Sequence, residues 1–110
     1  MSKPMIIKCR GEDEPLILAE VVELSLKVMQ GLVGGLIQPV TLDEEGTTLW
    51  LNEEGKIRGL PFNRNITDQW GQVWDVNGPF FLCGYDEEEG LTKGLTILAA
   101  TKWLALLRGE

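Results

Sequence analysis

The chain has 110 residues, the length of a single domain (1–110), and is 44% hydrophobic and 25% charged, an ordinary balance for a folded protein with its own core. Its net charge of −7 excludes general binding to a nucleic-acid backbone, and the absence of histidine excludes Ser-His-Asp and Cys-His catalysis and His-bearing zinc sites. No apolar run approaches the roughly 20 residues that cross a bilayer, and Met1-Ser2-Lys3-Pro4 does not open a secretory signal. The expected location is therefore the cytoplasm, away from membranes.

The acidic residues punctuate the chain. Twelve of the 17 fall in Glu12–Glu14, Asp43–Glu45, Glu53–Glu54 and Asp86–Glu89, and the last three groups run into Gly46, Gly55 and Gly90. Such groups are turns, and the apolar runs between them are strands or helices. Met5–Arg10 reads as a first strand and Leu16–Leu18 as a short second one. Glu20–Leu32 has an apolar face of Val21, Leu24, Val28 and Leu32 and predicts a helix, stopped by Gly34-Gly35. Leu36–Leu42 follows as a strand, where Pro39 points to an edge or a bulge. Thr47–Asn52 is a strand, and Glu53-Glu54-Gly55 is expected to close a hairpin onto Lys56–Arg58. Leu60–Gln72 has no clear period and reads as a loop with one helical turn at most. Val73–Val76 is a short strand. Pro79–Tyr85, apolar on both faces, belongs at the centre of a sheet. Thr92–Arg108 is a final helix, apolar over most of its circumference, and such a helix needs more than one partner surface. A homo-oligomer interface on this C-terminal helix would supply one. The whole predicts an α+β fold, a mostly antiparallel sheet packed by two helices.

The chemistry-bearing residues are few. Cys9 and Cys83 match no metal or redox spacing and read as buried thiols. The contiguous acids diverge where a calcium loop needs alternating ligands, so no metal site is expected. The glycines at 31, 34 and 35 follow a helix, whereas phosphate loops precede one. Trp50, Trp70, Trp74 and Trp103 either cover the open side of the sheet or offer stacking surfaces. No nucleophile motif surrounds Ser2 or Ser25, and a non-enzyme without a cofactor is expected. The candidate site is Asn63-Arg64-Asn65. Arg64 carries a planar fork of donors suited to carboxylate or phosphate. With Asn52, Lys56 and Arg58 just upstream, it makes a basic island on an acidic molecule. Asn52, Asn63, Arg64 and Trp50 are the expected ligand-binding residues. The competing reading pairs Arg64 with nearby carboxylates or with carbonyls of its own loop.

Three segments occur together: Gln30-Gly-Leu-Val-Gly-Gly-Leu-Ile37, Asn52-Glu-Glu-Gly-Lys-Ile-Arg-Gly-Leu-Pro-Phe-Asn-Arg64 and Gly78-Pro-Phe-Phe-Leu-Cys-Gly84. Together they resemble a family of small proteins catalogued only as a domain of unknown function, found in bacteriophages, plasmids and bacteria. The resemblance runs over residues 5 to 98 and rests mainly on the middle segment. It implies an accessory protein of a mobile element in a bacterial host cell, acting by binding. The expected ligand is a small anionic or nucleotide-like molecule. The other expected partner is a host protein, engaged by an interaction module that acts as an acidic decoy or inhibitor.

Overall fold

The computed structural model describes residues 3–109, so the first two residues of the Met1–Pro4 segment lie outside it. The elements are β1 (Met5–Cys9), β2 (Ile17–Glu20), α1 (Leu26–Val33), β3 (Ile37–Thr41), β4 (Thr48–Asn52), β5 (Phe62–Thr67), β6 (Val73–Asn77), β7 (Phe80–Asp86), β8 (Leu91–Lys93) and α2 (Ile97–Leu107). The fold is α+β with antiparallel pairing throughout. The main sheet runs β2-β1-β7-β4-β3, with β8 pairing the far end of β7, while β5 and β6 form a separate hairpin.

β7 is the central strand. Phe80, Phe81, Leu82 and Cys83 are all fully buried, because the strand has a core on each face. Phe80 and Leu82 face a larger core shared with Ile7, Leu49, Ile66, Val76 and Trp103, roofed by the β5–β6 hairpin and α2. Phe81 and Cys83 face a smaller core with Ile6, Met29 and Val33, roofed by α1. Alternation along β4 divides its residues in the same way: Leu49 and Leu51 join the first core, Trp50 the second. β3, which carries Pro39, is an edge strand of the sheet.

Four expectations are corrected. The helix expected over Glu20–Leu32 begins only at Leu26. Ser25 caps it by accepting from Val28 N–H, and Val21 and Leu24 pack on the small core from extended chain. Glu20 itself ends β2. Helix α1 closes on Gly34 in the left-handed conformation (φ 78°). Second, Lys56–Arg58 is not the return strand of a hairpin. Residues 53–59 form consecutive turns, closed by Leu60 N–H donating to Gly55 O at 2.9 Å. Third, Leu60–Gln72 is not a loop: it contains β5, whose buried positions are Asn63 and Ile66, with a register shift between Phe62 and Arg64. Fourth, the last helix starts at Ile97 under a Thr96 cap, because Leu91–Lys93 has been taken by β8.

Helix α2 buries Ala100 and Trp103, with Leu104 and Leu107 packed beside them. Ile97 and Leu98 remain 76% and 84% exposed. The Trp103 indole N–H donates to Asp43 Oδ2 at 2.9 Å, pinning α2 to the turn before β4.

Candidate functional site

The four residues expected to bind a ligand fall in two groups on opposite faces of the main sheet. Asn52 and Trp50 lie on the α1 face. Asn52 is buried; its Nδ2 donates to Val33 O at 3.2 Å and its Oδ1 accepts from Glu54 N–H at 2.8 Å. It ties the end of α1 to the turn after β4. Trp50 stacks on Phe81 with ring centroids 6.3 Å apart, and its indole N–H donates to Cys83 Sγ at 3.1 Å. Burial pushes the Cys83 thiol up to about 12, with the Trp50 hydrogen bond pulling weakly the other way.

Asn63 and Arg64 lie with the large core. Asn63 is buried and donates from Nδ2 to Gly78 O at 2.9 Å, which joins β5 to the turn before β7. Arg64 Nε donates to Asn63 Oδ1 at 3.0 Å, Nη2 to Cys9 Sγ at 3.3 Å, and the guanidinium lies 5.8 Å from the centre of the Phe80 ring. Among the described residues Arg64 makes no ion pair. Its partners are a side-chain amide, a thiol and an aromatic face, so neither a turn carboxylate nor a loop carbonyl holds it.

The two thiols are 1% and 0% exposed. Thiolate, not thiol, attacks disulfide reagents. In native protein neither cysteine should react with Ellman's reagent over minutes, and both should react in urea. Fast labelling of one thiol without denaturant would contradict this packing.

A cleft of about 320 Å³ opens on the large-core side of the sheet, between the 53–59 turns and β6. Its floor is Gln38 and Leu51, directly opposed in the β3–β4 ladder. Its walls carry Lys56, Trp74, Asp75 and Asn77. The geometry depends on Gly55. A Cβ there would stand 2.6 Å from Asn77 O, so only glycine lets the turn close against β6. Lys56 Nζ reaches Asp75 Oδ2 at 3.8 Å across the mouth, and both side chains are more than half exposed, so the pair is weak. Asn77 Nδ2 donates to Leu60 O at 3.1 Å, leaving its Oδ1 to accept. Trp74 is half-buried, oriented by its indole N–H donating to Asp68 Oδ2 at 3.1 Å.

Of the four residues expected to bind a ligand, only Asn52 borders this cleft, at the end of β4, while its side-chain amide is spent on Val33 O and Glu54 N–H on the other face. Lys56 belonged to the basic island and Trp74 to the tryptophan set, so both carried a signal in the sequence. Gln38, Asp75 and Asn77 carried none. They reach the cleft through strand register and through the crossing of β6 over β4.

A family model described as "Domain of unknown function (DUF3846)" matches residues 9–107, so the chain belongs to that family. The match takes in α2 as well as the three segments that suggested it. No curated protein and no solved structure matches the chain.

Proposed function

We propose that this member of the family is a non-enzymatic binding protein whose small-molecule seat is the cleft between the 53–59 turns and β6. The supporting observation is the convergence there of Gln38, Lys56, Asn77 and Trp74 around about 320 Å³ of open space, a volume that suits a small organic ligand. A planar ring packs against Trp74 and Leu51, while the Gln38 amide and Asn77 Oδ1 read its polar edge. Among the described residues Lys56 is the one cation lining the cleft, against Glu53 and Asp75. The seat therefore favours a nucleotide-like compound with one negative charge at most, such as a nucleoside or a cyclic monophosphate, over a triphosphate.

Differential scanning fluorimetry with nucleosides, cyclic monophosphates and triphosphates tests this. A ligand present at about 100 times its Kd stabilises the fold by roughly 2.7 kcal/mol, a shift of many degrees for a chain this size. Gln38→Ala and Lys56→Ala each remove one interaction and should weaken the hit by about five- to tenfold. Arg64→Ala should leave it unchanged. If no compound raises Tm, the cleft is not such a seat. If Arg64→Ala abolishes binding while Gln38→Ala does not, the ligand belongs at Arg64.

A further inference from the structure

Helix α1 is eight residues long, so it spans about 12 Å and leaves part of its face of the sheet uncovered. Pro39 and Thr41 on β3, Thr48 and Trp50 on β4, and Tyr85 and Thr92 at the β7–β8 end line a groove of about 290 Å³. Its walls are a proline and two aromatic rings, rigid groups that lose little entropy when a partner packs on them. This surface is independent of the cleft: Pro39 and Trp50 point to one face of the β3–β4 ladder, Gln38 and Leu51 to the other.

The groove runs into a second hollow of about 260 Å³, and Gly46, Tyr85 and Glu87 line both. That hollow is strongly acidic. Among the described residues Glu44, Glu45, Asp86, Glu87 and Glu88 line it against a single cation, Lys93. Glu45 pairs with Lys102 at 3.8 Å, and Asp86 is occupied capping the turn through Glu88 N–H and Glu89 N–H. Among the described residues Glu44, Glu87 and Glu88 make no ion pair. An aromatic trough thus ends in a carboxylate cluster of which Glu44, Glu87 and Glu88 have no ion-pair partner among the described residues, across one continuous surface.

We propose that this surface docks an arginine-rich segment of a partner protein. Guanidinium groups satisfy both halves of it: they stack on Trp50 and Tyr85 and form forked hydrogen bonds with Glu87 and Glu88. A second copy of this chain is disfavoured, because each copy has a net charge of −7 and would bring its own acidic hollow. Nucleic acid is disfavoured for the same reason.

The probe is a peptide of about 12 residues with four arginines around a Leu-Leu pair, and a control peptide with glutamine at the arginine positions. It is titrated into 15N-labelled protein. The expected shifts centre on Tyr85, Thr92 and the Trp50 indole N–H, and the control peptide gives none. Glu87→Gln/Glu88→Gln and Tyr85→Ala, all at exposed positions, should each weaken the arginine peptide by about tenfold, and added salt should weaken it further. Lys56→Ala should bind as the parent does, which separates this surface from the cleft. The proposal is overturned by three results. One is shifts spread over all the acidic turns, Glu12–Glu14 included. Another is unchanged affinity in the Glu87/Glu88 variant. The third is light scattering that shows a dimer covering this face.

Discussion

Replacing Phe81 with alanine is expected to destabilise the protein by about 3–5 kcal/mol, a large part of the roughly 5–15 kcal/mol that holds a domain folded. Phe81 is fully buried at the centre of the sheet. It packs with Ile6, Met29 and Val33 under α1 and stacks against Trp50 at 6.3 Å. An eight-residue helix has no independent stability in water, so α1 depends on this core to form. The cavity would therefore cost helix as well as packing. Urea denaturation followed by circular dichroism is the measurement. With a slope of about 1–3 kcal/mol/M, the midpoint should fall by more than about 1 M. Trp50 emission should also shift to the red, because its stacking partner is gone. A loss below about 1 kcal/mol would mean that the small core collapses onto the gap and that α1 is held by something else. Trp50 also lines the groove beside α1, so Phe81→Ala should weaken the arginine peptide without touching the cleft.

Much of the sheet was legible because its strands obey local rules. β7 is apolar at every buried position, and only a strand with a core on both faces has that composition. Pro39 marked an edge, since proline cannot donate to a second ladder. The failures have equally specific causes. β5 buries Asn63, a polar residue made tolerable by Gly78 O and Arg64, and its bulge breaks the two-residue alternation, so the hydrophobic pattern of a strand was absent. The apolar period over Glu20–Leu32 was real, but Val21 and Leu24 satisfy it from extended chain, and Ser25 marked the true start. The four candidate site residues are not brought together, for a non-local reason. Asn52 and Asn63 are eleven positions apart, yet β4 belongs to the sheet and β5 to the hairpin roofing it. Side-chain alternation along β4 then points Trp50 and Asn52 away from Arg64. Only the order of strands decides that. The acidic turns, legible as turns, gained their significance only when pairing of β7 with β4 and β8 brought residues 44–45 beside residues 86–88.

The second large effect is expected at Asp43, and it has a pH signature. Asp43 is buried and serves three donors: Trp103 Nε1 at 2.9 Å, Thr47 N–H at 2.9 Å and Glu45 N–H at 3.0 Å. Burial alone would raise its pKa, but these hydrogen bonds outweigh burial, and the carboxyl titrates below its ordinary 3.8. A pKa lowered by folding means that the charged form binds better in the folded state. The stabilisation is therefore complete above the unfolded value, near pH 4 to 5, and is lost as pH falls through the folded one. Asp68, half-buried, is lowered in the same direction: burial raises its pKa, but the hydrogen bonds from Trp74, Gln72 and Trp70 together outweigh that, and it adds to the acid sensitivity. Asp43→Ala strands the indole N–H of a buried tryptophan and two turn amides, and should cost about 2–5 kcal/mol. Asp43→Asn keeps one acceptor oxygen and the shape, so it should cost less at pH 7. Because it cannot ionise, its stability should also fall less steeply than the parent's between about pH 5 and 3. Near-ultraviolet circular dichroism of Trp103 during acid titration reads both effects. If Asp43→Asn loses stability with acid as steeply as the parent, the acid sensitivity resides in other carboxylates, and the contact that pins α2 to the β3–β4 turn is neutral in origin. If it loses less, the charge on Asp43 is what holds the last helix over the large core.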